Sequence, residues 1–387
     1  MRVLFCHDGP INIDSNGQYC SVGFNDELFD RYNEMLKADI SIAMRVKKED
    51  LQSCSKMLKL SSEKYEVIEC PNISSLKGFF LNKKKCKKMI EKNINKYDMF
   101  IVRLPSMIGN TAIEVAKKNN IPYLIELVGC PWDALWNHSF KGKIMAPYMY
   151  LVTKKKVKEA KYVLYVTNKF LQKRYPTNGK SIGCSDVKIK VHNFVKEKDF
   201  HDKKMILGTL GIIDVKYKGQ EYVIKALALL KKKGYNFLYQ IAGPGDKTRL
   251  EKIAKKYGVL ENIEFLGALS HEKVFDWLSN VDIYIQPSTT EGMPRALIEA
   301  MSIGCLCMGS NVGGIPELLD KKMIFRKKKH KDIYNIIKTL SKNDFHEQYL
   351  KNIELSEKFT QSYLDEKRKS FYVEFKKEEE KHGKTIW

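Results

Sequence analysis

No apolar run in this 387-residue chain is long enough to cross a membrane, and Met1–Cys6 leads directly into Asp8 without the apolar stretch of a signal peptide. The chain is therefore expected in the cytosol, with any membrane contact peripheral. Cysteine is present but unorganised. The nine residues are odd in number and form no C-x-x-C pair, and the closest two are Cys305 and Cys307. This excludes a disulfide framework or a zinc site read from spacing and predicts free thiols in a reducing compartment. Cys305 and Cys307 suit adjacent same-face positions of a strand. Three chemical signatures are also missing. Without G-x-x-x-x-G-K there is no P-loop, and without G-x-S-x-G no α/β-hydrolase elbow. Without D-x-D there is no acidic pair to hold a metal on a diphosphate.

Acidic residues are scarce relative to basic ones: 46 Asp and Glu against 68 Lys and Arg, a formal net charge of +22. Such an excess concentrates anions at the surface and leaves nucleic acid, anionic lipid and phosphorylated substrates open as partners. The charge is clustered, at Lys83–Lys85 with Lys87 and Lys88, Lys154–Lys156, Lys231–Lys233 and Arg326–Lys329. Solvated helix faces are the simpler account of any one cluster. A nucleic-acid module would interleave such residues with aromatics on one surface; here the lysines are dispersed.

What the chain does have is a rhythm. Short apolar runs at Val3–Cys6, Ile40–Val46, Tyr65–Glu69, Met99–Arg103, Tyr123–Val128 and Tyr162–Thr167 read as buried strands, with helical patterns such as 110–119 and 168–175 between them. The rhythm restarts after residue 200, with strands at Met205–Leu210, Phe237–Ala242, Ile263–Leu266, Ile283–Gln286 and Leu306–Met308. Helices over Gln220–Lys232, Arg249–Tyr257, His271–Ser279 and Arg295–Ile303 separate these. This predicts an α/β protein of two Rossmann-like doubly wound domains, 1–198 and 199–359, facing across a cleft, with the charged segment 195–204 as hinge. A last helix over 360–381, with Leu364, Phe371 and Phe375 on one stripe, has the N-terminal domain as a packing option; residues 360–387 are assigned to it. Ligands of doubly wound sheets lie outside the strand ends, so the site belongs in the crevice.

The richest segment runs Ser288-Thr-Thr-Glu-Gly-Met-Pro-Arg-Ala-Leu-Ile-Glu-Ala-Met301. It follows a strand and opens a helix, with Gly292 and Pro294 marking the turn. The free amides of such a helix start suit a diphosphate. Glu291 precedes the helix and Glu299 lies about 8 Å further along its axis. One carboxylate is thus placed to accept from sugar hydroxyls and the other from a ribose; an ordinary strand–loop–helix with a near-cap acid is the plain reading.

These residues resemble the retaining GT-B glycosyltransferases of family four, the glycosyl transferases group 1, particularly the branch that builds bacterial surface polysaccharides. Glu291 and Glu299 match its paired glutamates, Ala300-Met-Ser-Ile-Gly304 the continuation, and Asn311-Val-Gly-Gly-Ile-Pro-Glu317 its Gly-Gly-x-Pro-Glu turn. Ile241-Ala-Gly-Pro-Gly-Asp246 and Tyr217-Lys-Gly-Gln220 resemble its glycine loop and its Lys-Gly pair. The resemblance implies that Lys218 neutralises the donor diphosphate, Glu291 meets the donor sugar and Glu299 the ribose. Gly243 lines the donor site, and the amides of Gly292, Met293, Pro294–Arg295 hold phosphate. It implies a nucleotide-sugar substrate, uridine preferred and GDP-mannose the alternative, and no cofactor or metal. The acceptor is a glycan or a lipid-diphosphate-linked glycan at the inner membrane face. The family's arginine just before the lysine is missing from Gly211–Val215; Arg295 or Lys216 is the replacement, or the diphosphate is held with one cation fewer.

In the first half the match is looser. Asn16-Gly17 resembles the loop that approaches the donor phosphates, and a plain turn is the other reading. Arg103-Leu-Pro-Ser106 and Glu126-Leu-Val-Gly-Cys-Pro-Trp132 resemble strand ends near the acceptor, so Arg103 and Glu126 are acceptor candidates, with a buried ion pair as the alternative. His7, Asp8 and His138 carry no assignment. Residues 76–92, with Phe79 and Phe80 beside five lysines, suit an anionic bilayer or else a core-facing aromatic pair. The rival functions are an inverting enzyme or epimerase of the same fold, and a basic nucleic-acid- or membrane-binding scaffold with a vestigial nucleotide-sugar site.

Overall fold

The computed structural model describes residues 1–55, 57–137, 140–189 and 204–383; most of the expected hinge and His138 lie outside these residues. The chain divides into two compact units, Met1–Cys184 with Glu366–Trp387, and Ser185–Asp365.

Unit one contains β1 (Arg2–Ile13), β2 (Tyr19–Ser21), α1 (Asp26–Leu36), β3 (Asp39–Lys48), α2 (Leu51–Ser55), β4 (Leu58–Leu60), β5 (Val67–Cys70) and α3 (Leu76–Glu91). It continues with β6 (Met99–Leu104), α4 (Met107–Lys118), β7 (Tyr123–Leu127), α5 (Pro131–Trp136), α6 (Phe140–Glu159), β8 (Tyr162–Tyr165), α7 (Phe170–Arg174) and β9 (Lys180–Gly183). Parallel pairing orders the strands β5-β3-β1-β6-β7-β8-β9; β2 pairs antiparallel with the far end of β1, and β4 pairs antiparallel with β2. Val3, Leu4, Phe5 and Cys6 are all fully buried, which is why β1 reads as a continuous apolar run: both faces of a parallel sheet are covered. Beyond Cys6 the strand runs on to Ile13 through a register shift between His7 and Pro10. It then turns back through Asp14–Gln18, where the Gly17 amide donates to the Asp14 carbonyl.

Unit two contains β10 (Met205–Leu210), α8 (Gln220–Lys232), β11 (Phe237–Ala242), α9 (Thr248–Lys256), β12 (Ile263–Gly267), α10 (His271–Ser279), β13 (Ile283–Gln286) and α11 (Arg295–Ser302). There follow β14 (Leu306–Ser310), α12 (Ile315–Leu318), β15 (Ile324–Phe325), α13 (His330–Thr339) and α14 (Lys342–Glu357), with α15 (Gln361–Gly383) closing the described chain. Its six strands are all parallel, in the order β12-β11-β10-β13-β14-β15. In α8 the buried Val223, Ile224, Leu227 and Leu230 recur at helical spacing and lie on this sheet. The order reverses between β10 and β13, and that switch point positions the site.

Most of α15 belongs to unit one. Phe371 and Phe375 pack their rings on Tyr162 at 5.4 and 5.1 Å, and Tyr372 is fully buried. The cysteines depart from expectation. Cys20 in β2 and Cys54 in α2 are joined as a disulfide, while the other seven are free and buried. A pairing across 34 residues of sequence is set by the fold and leaves no mark in spacing.

Candidate active site

Four loops converge where the strands of unit two end. After β10, the backbone carries Gly211 over to Lys218, with the Gly211 amide donating to the Ala242 carbonyl and the Ile213 amide to Pro244. Gly243 lies against this loop: a Cβ there would sit 2.1 Å from the Gly211 carbonyl oxygen. Gly243 is thus the residue that lets two strand-end loops cross.

Lys218 ends a short 3₁₀ turn, and Gly219 turns the chain into α8 at a φ of 74°, its backbone pressed on the Pro287 carbonyl. The Thr289 amide donates to the Tyr217 carbonyl at 2.7 Å, tying this turn to the loop after β13. The ties bring Lys218 to Glu291: its Nζ donates to Glu291 Oε1 at 2.7 Å, both side chains largely buried. The same oxygen accepts from Ser288 Oγ at 2.7 Å and from Gln286 Nε2 at 3.1 Å. Oε1 is anchored by three donors, and Oε2 has no hydrogen-bond partner among the described residues.

Behind Glu291 stands the Asn311–Pro316 turn. Gly313 has a φ of 56°, and a Cβ on it would meet the Glu291 carbonyl oxygen at 2.1 Å; the Gly314 amide donates to the Gly292 carbonyl at 2.7 Å. The two glycines are a backbone-only seat for the Glu291–Gly292 peptide.

Pro294 caps α11, and the helix begins at Arg295, as its expected span has it. The first amides of the helix lack intrahelical acceptors and face outward with the positive end of its dipole. Arg295 is exposed beside them. Glu299 is 4% exposed, not on a solvated face, and burial pushes its carboxyl above the usual range, with Arg295 and then His271 opposing. His271 Nε2 lies 3.9 Å from Glu299 Oε1. No hydrogen bond from the described residues reaches the Glu299 carboxylate, a largely buried acceptor. Both glutamates act on Tyr284: its hydroxyl donates to Gln286 Oε1 at 2.8 Å, and burial first, then Cys307, Glu299 and Glu291, raise its pKa far above normal.

Residues 192–359 match the family model described as "Glycosyl transferases group 1". The chain is 35% identical over 352 residues to Protein CapJ of Staphylococcus aureus, a match covering 90% of this chain and 88% of that one. The chain belongs to the group 1 glycosyltransferases. It is also 33% identical over 154 residues, 36% of this chain and 38% of the relative, to the amylovoran biosynthesis glycosyltransferase AmsK of Erwinia amylovora. The crystal structure of Anabaena Alr3699/HepE in complex with UDP shares the fold, with a TM-score of 0.67 at 14% identity over 97% of this chain and all of that one. The fold of this glycosyltransferase is thus GT-B, with two Rossmann-like units.

Of the residues singled out in the sequence, Lys218, Gly243, Glu291–Arg295 and Glu299 gather at the strand ends of unit two. The other three lie in unit one. Gly17 is the tip of the β1–β2 hairpin turn, exposed, with open space where a Cβ would stand. Glu126 is 1% exposed in the interior of unit one: Tyr32 Oη donates to both its oxygens, at 3.0 and 2.9 Å, and Tyr372 Oη donates to Oε1. Arg103 lies 3.5 Å from Glu126 Oε2. Glu126 is therefore a buried structural acid, saturated by its own unit, and Arg103 is its counter-charge. Glu126→Ala should lower unfolding free energy by about 2–4 kcal/mol, because two tyrosine hydroxyls and a cation lose their partner. Urea denaturation checks this, and an unchanged midpoint would contradict it.

The sequence alone leaves His7 and Asp8 unassigned, yet they occupy unit one's own switch point, between β1 and β6. Asp8 accepts the Met107 and Ile108 amides at 2.6 and 2.8 Å, capping α4. His7 is held neutral: burial, then Arg103 and Arg45, lower its pKa to about 3, and its Nδ1 accepts the Gly9 amide. The only signal for them in the sequence is position, at the end of the first strand's buried run.

Proposed function

We propose that this glycosyltransferase moves a hexose or N-acetylhexosamine from a UDP-sugar to a glycan or lipid-linked acceptor, with retention at the anomeric carbon, at the cytoplasmic face during polysaccharide assembly. The observation that carries the reading is the Lys218–Glu291 pair, two residues 73 apart in sequence held at 2.7 Å by four converging loops. The amylovoran assignment of AmsK supports the polysaccharide context.

In this reading Lys218 and the open amides of α11 stabilise the departing diphosphate, the place where charge develops. Arg295, exposed beside those amides, or Lys216 takes the part of the missing family arginine in this reading. Arg249, the guanidinium that reaches the Gly211–Val215 loop, is committed to Glu221 and the Ile213 carbonyl. Glu291 Oε2 accepts from the donor sugar, and Glu299 accepts from the ribose hydroxyls. The acceptor hydroxyl attacks on the face from which the diphosphate leaves and gives its proton to a phosphate oxygen, so no protein nucleophile is needed; the protein supplies position and charge.

The reaction is read as metal-independent, because cationic side chains and amides take the diphosphate charge. The test is nucleotide diphosphate release from a panel of UDP- and GDP-sugars, with and without bacterial membrane extract. Release with a UDP-sugar, insensitive to EDTA and giving a product whose anomeric configuration by NMR matches the donor, is expected. Inverted product overturns retention; release restored only by magnesium overturns the metal-independent reading; no release from any donor overturns the enzyme reading in favour of a scaffold.

A further inference from the structure

No helix among the described residues is long and apolar enough to cross a membrane. Unit one nevertheless leaves a large apolar surface uncovered. The helix α6 buries Gly142, Ala146, Met149, Thr153 and Val157 against its own unit. On the opposite side it exposes Phe140, Ile144, Tyr148 and Leu151, at spacings of four, four and three, with Phe140 78% and Ile144 and Leu151 each 64% exposed. A helix with two apolar faces has one more than its own core uses.

The stripe continues onto α3. The Tyr148 ring lies 6.5 Å from Phe79, which packs inward, and Phe79 lies 5.6 Å from Phe80, which is 78% exposed. The segment 76–92, read from sequence as either a membrane contact or a core-facing aromatic pair, is thereby split: Phe79 faces the core, Phe80 and Leu81 face out, and the greater part of the surface is on α6. Trp136 adds an aromatic edge, with Lys143 Nζ 5.9 Å from its ring.

The charge around this surface is predominantly positive. The helices α3 and α6 hold six lysines each against a single glutamate each, Glu91 and Glu159 at their last positions, and Glu114 pairs with Lys83 and Lys156. Lys141 and Lys143 flank the apolar stripe and Lys154, Lys155 and Lys158 prolong it, all exposed.

We propose that the α3–α6 face of unit one docks on an anionic bilayer, its aliphatic and aromatic side chains entering the headgroup region and its lysines meeting lipid phosphates. A second copy of the chain is a poor occupant, because it would bring the same lysines face to face. Nucleic acid is also a poor one: Ile144, Leu151 and Leu81 would lie against a phosphate ribbon with nothing apolar to bury them.

The test uses full-length protein and vesicles without donor or acceptor, so its outcome is independent of the transferase reading. Flotation with phosphatidylcholine vesicles containing about a third phosphatidylglycerol should carry the protein up, and pure phosphatidylcholine should do so far less. Ile144→Ser with Leu151→Ser should lower the partition coefficient about tenfold or more, with melting temperature unchanged. Equal flotation of the double variant would overturn the proposal, as would no binding to anionic vesicles, dimerisation abolished by the double substitution, or tighter binding to duplex DNA than to the vesicles.

Discussion

Replacing Glu291 by glutamine should lower the rate of sugar transfer about 10²–10³-fold while the protein stays folded. The substitution keeps the shape of the side chain and removes its charge. In the native site Oε1 is fixed by Lys218, Ser288 and Gln286, so the side chain cannot swing to another partner and Oε2 presents one defined acceptor. With an amide there, Lys218 loses its counter-charge and the sugar loses an ionised acceptor at the moment the anomeric centre turns cationic. Turnover and thermal melting measured side by side separate this from a structural role. An unchanged turnover with a fallen melting temperature would mean that Glu291 only stabilises its loop. Because Lys218 and Glu291 act as one unit, Lys218→Met combined with Glu291→Gln should cost far less than the product of the two single effects.

An almost equal loss should follow from Gly313→Ala, a change that adds one methyl group and touches no catalytic side chain. At a φ of 56° the alanine is strained, and its Cβ would fall 2.1 Å from the Glu291 carbonyl oxygen, so the Glu291–Gly292 peptide must move. Backbone strain of this kind costs about 1–3 kcal/mol, whereas transfer depends on sub-ångström placement and should fall about 10²-fold. Gly17→Ala is the matched control. It also has a positive φ, 79°, but open space around it, and should cost stability alone. Kinetics of both variants below their melting temperatures decide the matter; equal transfer rates would show that the Gly-Gly turn does not hold the site.

How much of this was legible in the sequence depends on which signal each feature leaves. The strands β10, β11 and β13 and the helices α8 and α10 coincide with their expected spans, because buried parallel strands are unbroken apolar runs and helices with one apolar face are periodic. Short edge elements were missed: Leu58–Leu60 and Lys180–Gly183 are too short and too polar for either pattern to show. The helix α6 was missed for the opposite reason, since apolar residues on two faces leave no single stripe, and Pro147 interrupts it.

At the candidate site, Lys218, Glu291 and Glu299 were visible because the glycines and prolines beside them mark the turns that carry them. Burial was not visible. Glu126 and Gly17 have the same local sequence character as Lys218 and Glu291, and only the tertiary fold places one in a core beneath two tyrosines and the other at a hairpin tip. The resemblance that located Lys218 said nothing of Gln286 and Ser288, whose hydrogen bonds orient its partner.

The discontinuity of unit one has a consequence for the order of synthesis. Everything from Ser185 to Asp365 leaves the ribosome before the residues that complete unit one. Until α15 arrives, Glu126 lacks the Tyr372 hydroxyl and Tyr162 lacks the cover of Phe371 and Phe375. The second unit can therefore finish its core while the first is still open, against the usual N-terminus-first order of translation. The half-made chain carries an uncovered aromatic patch through that interval, and a late helix, not an early strand, commits the first unit to its native state.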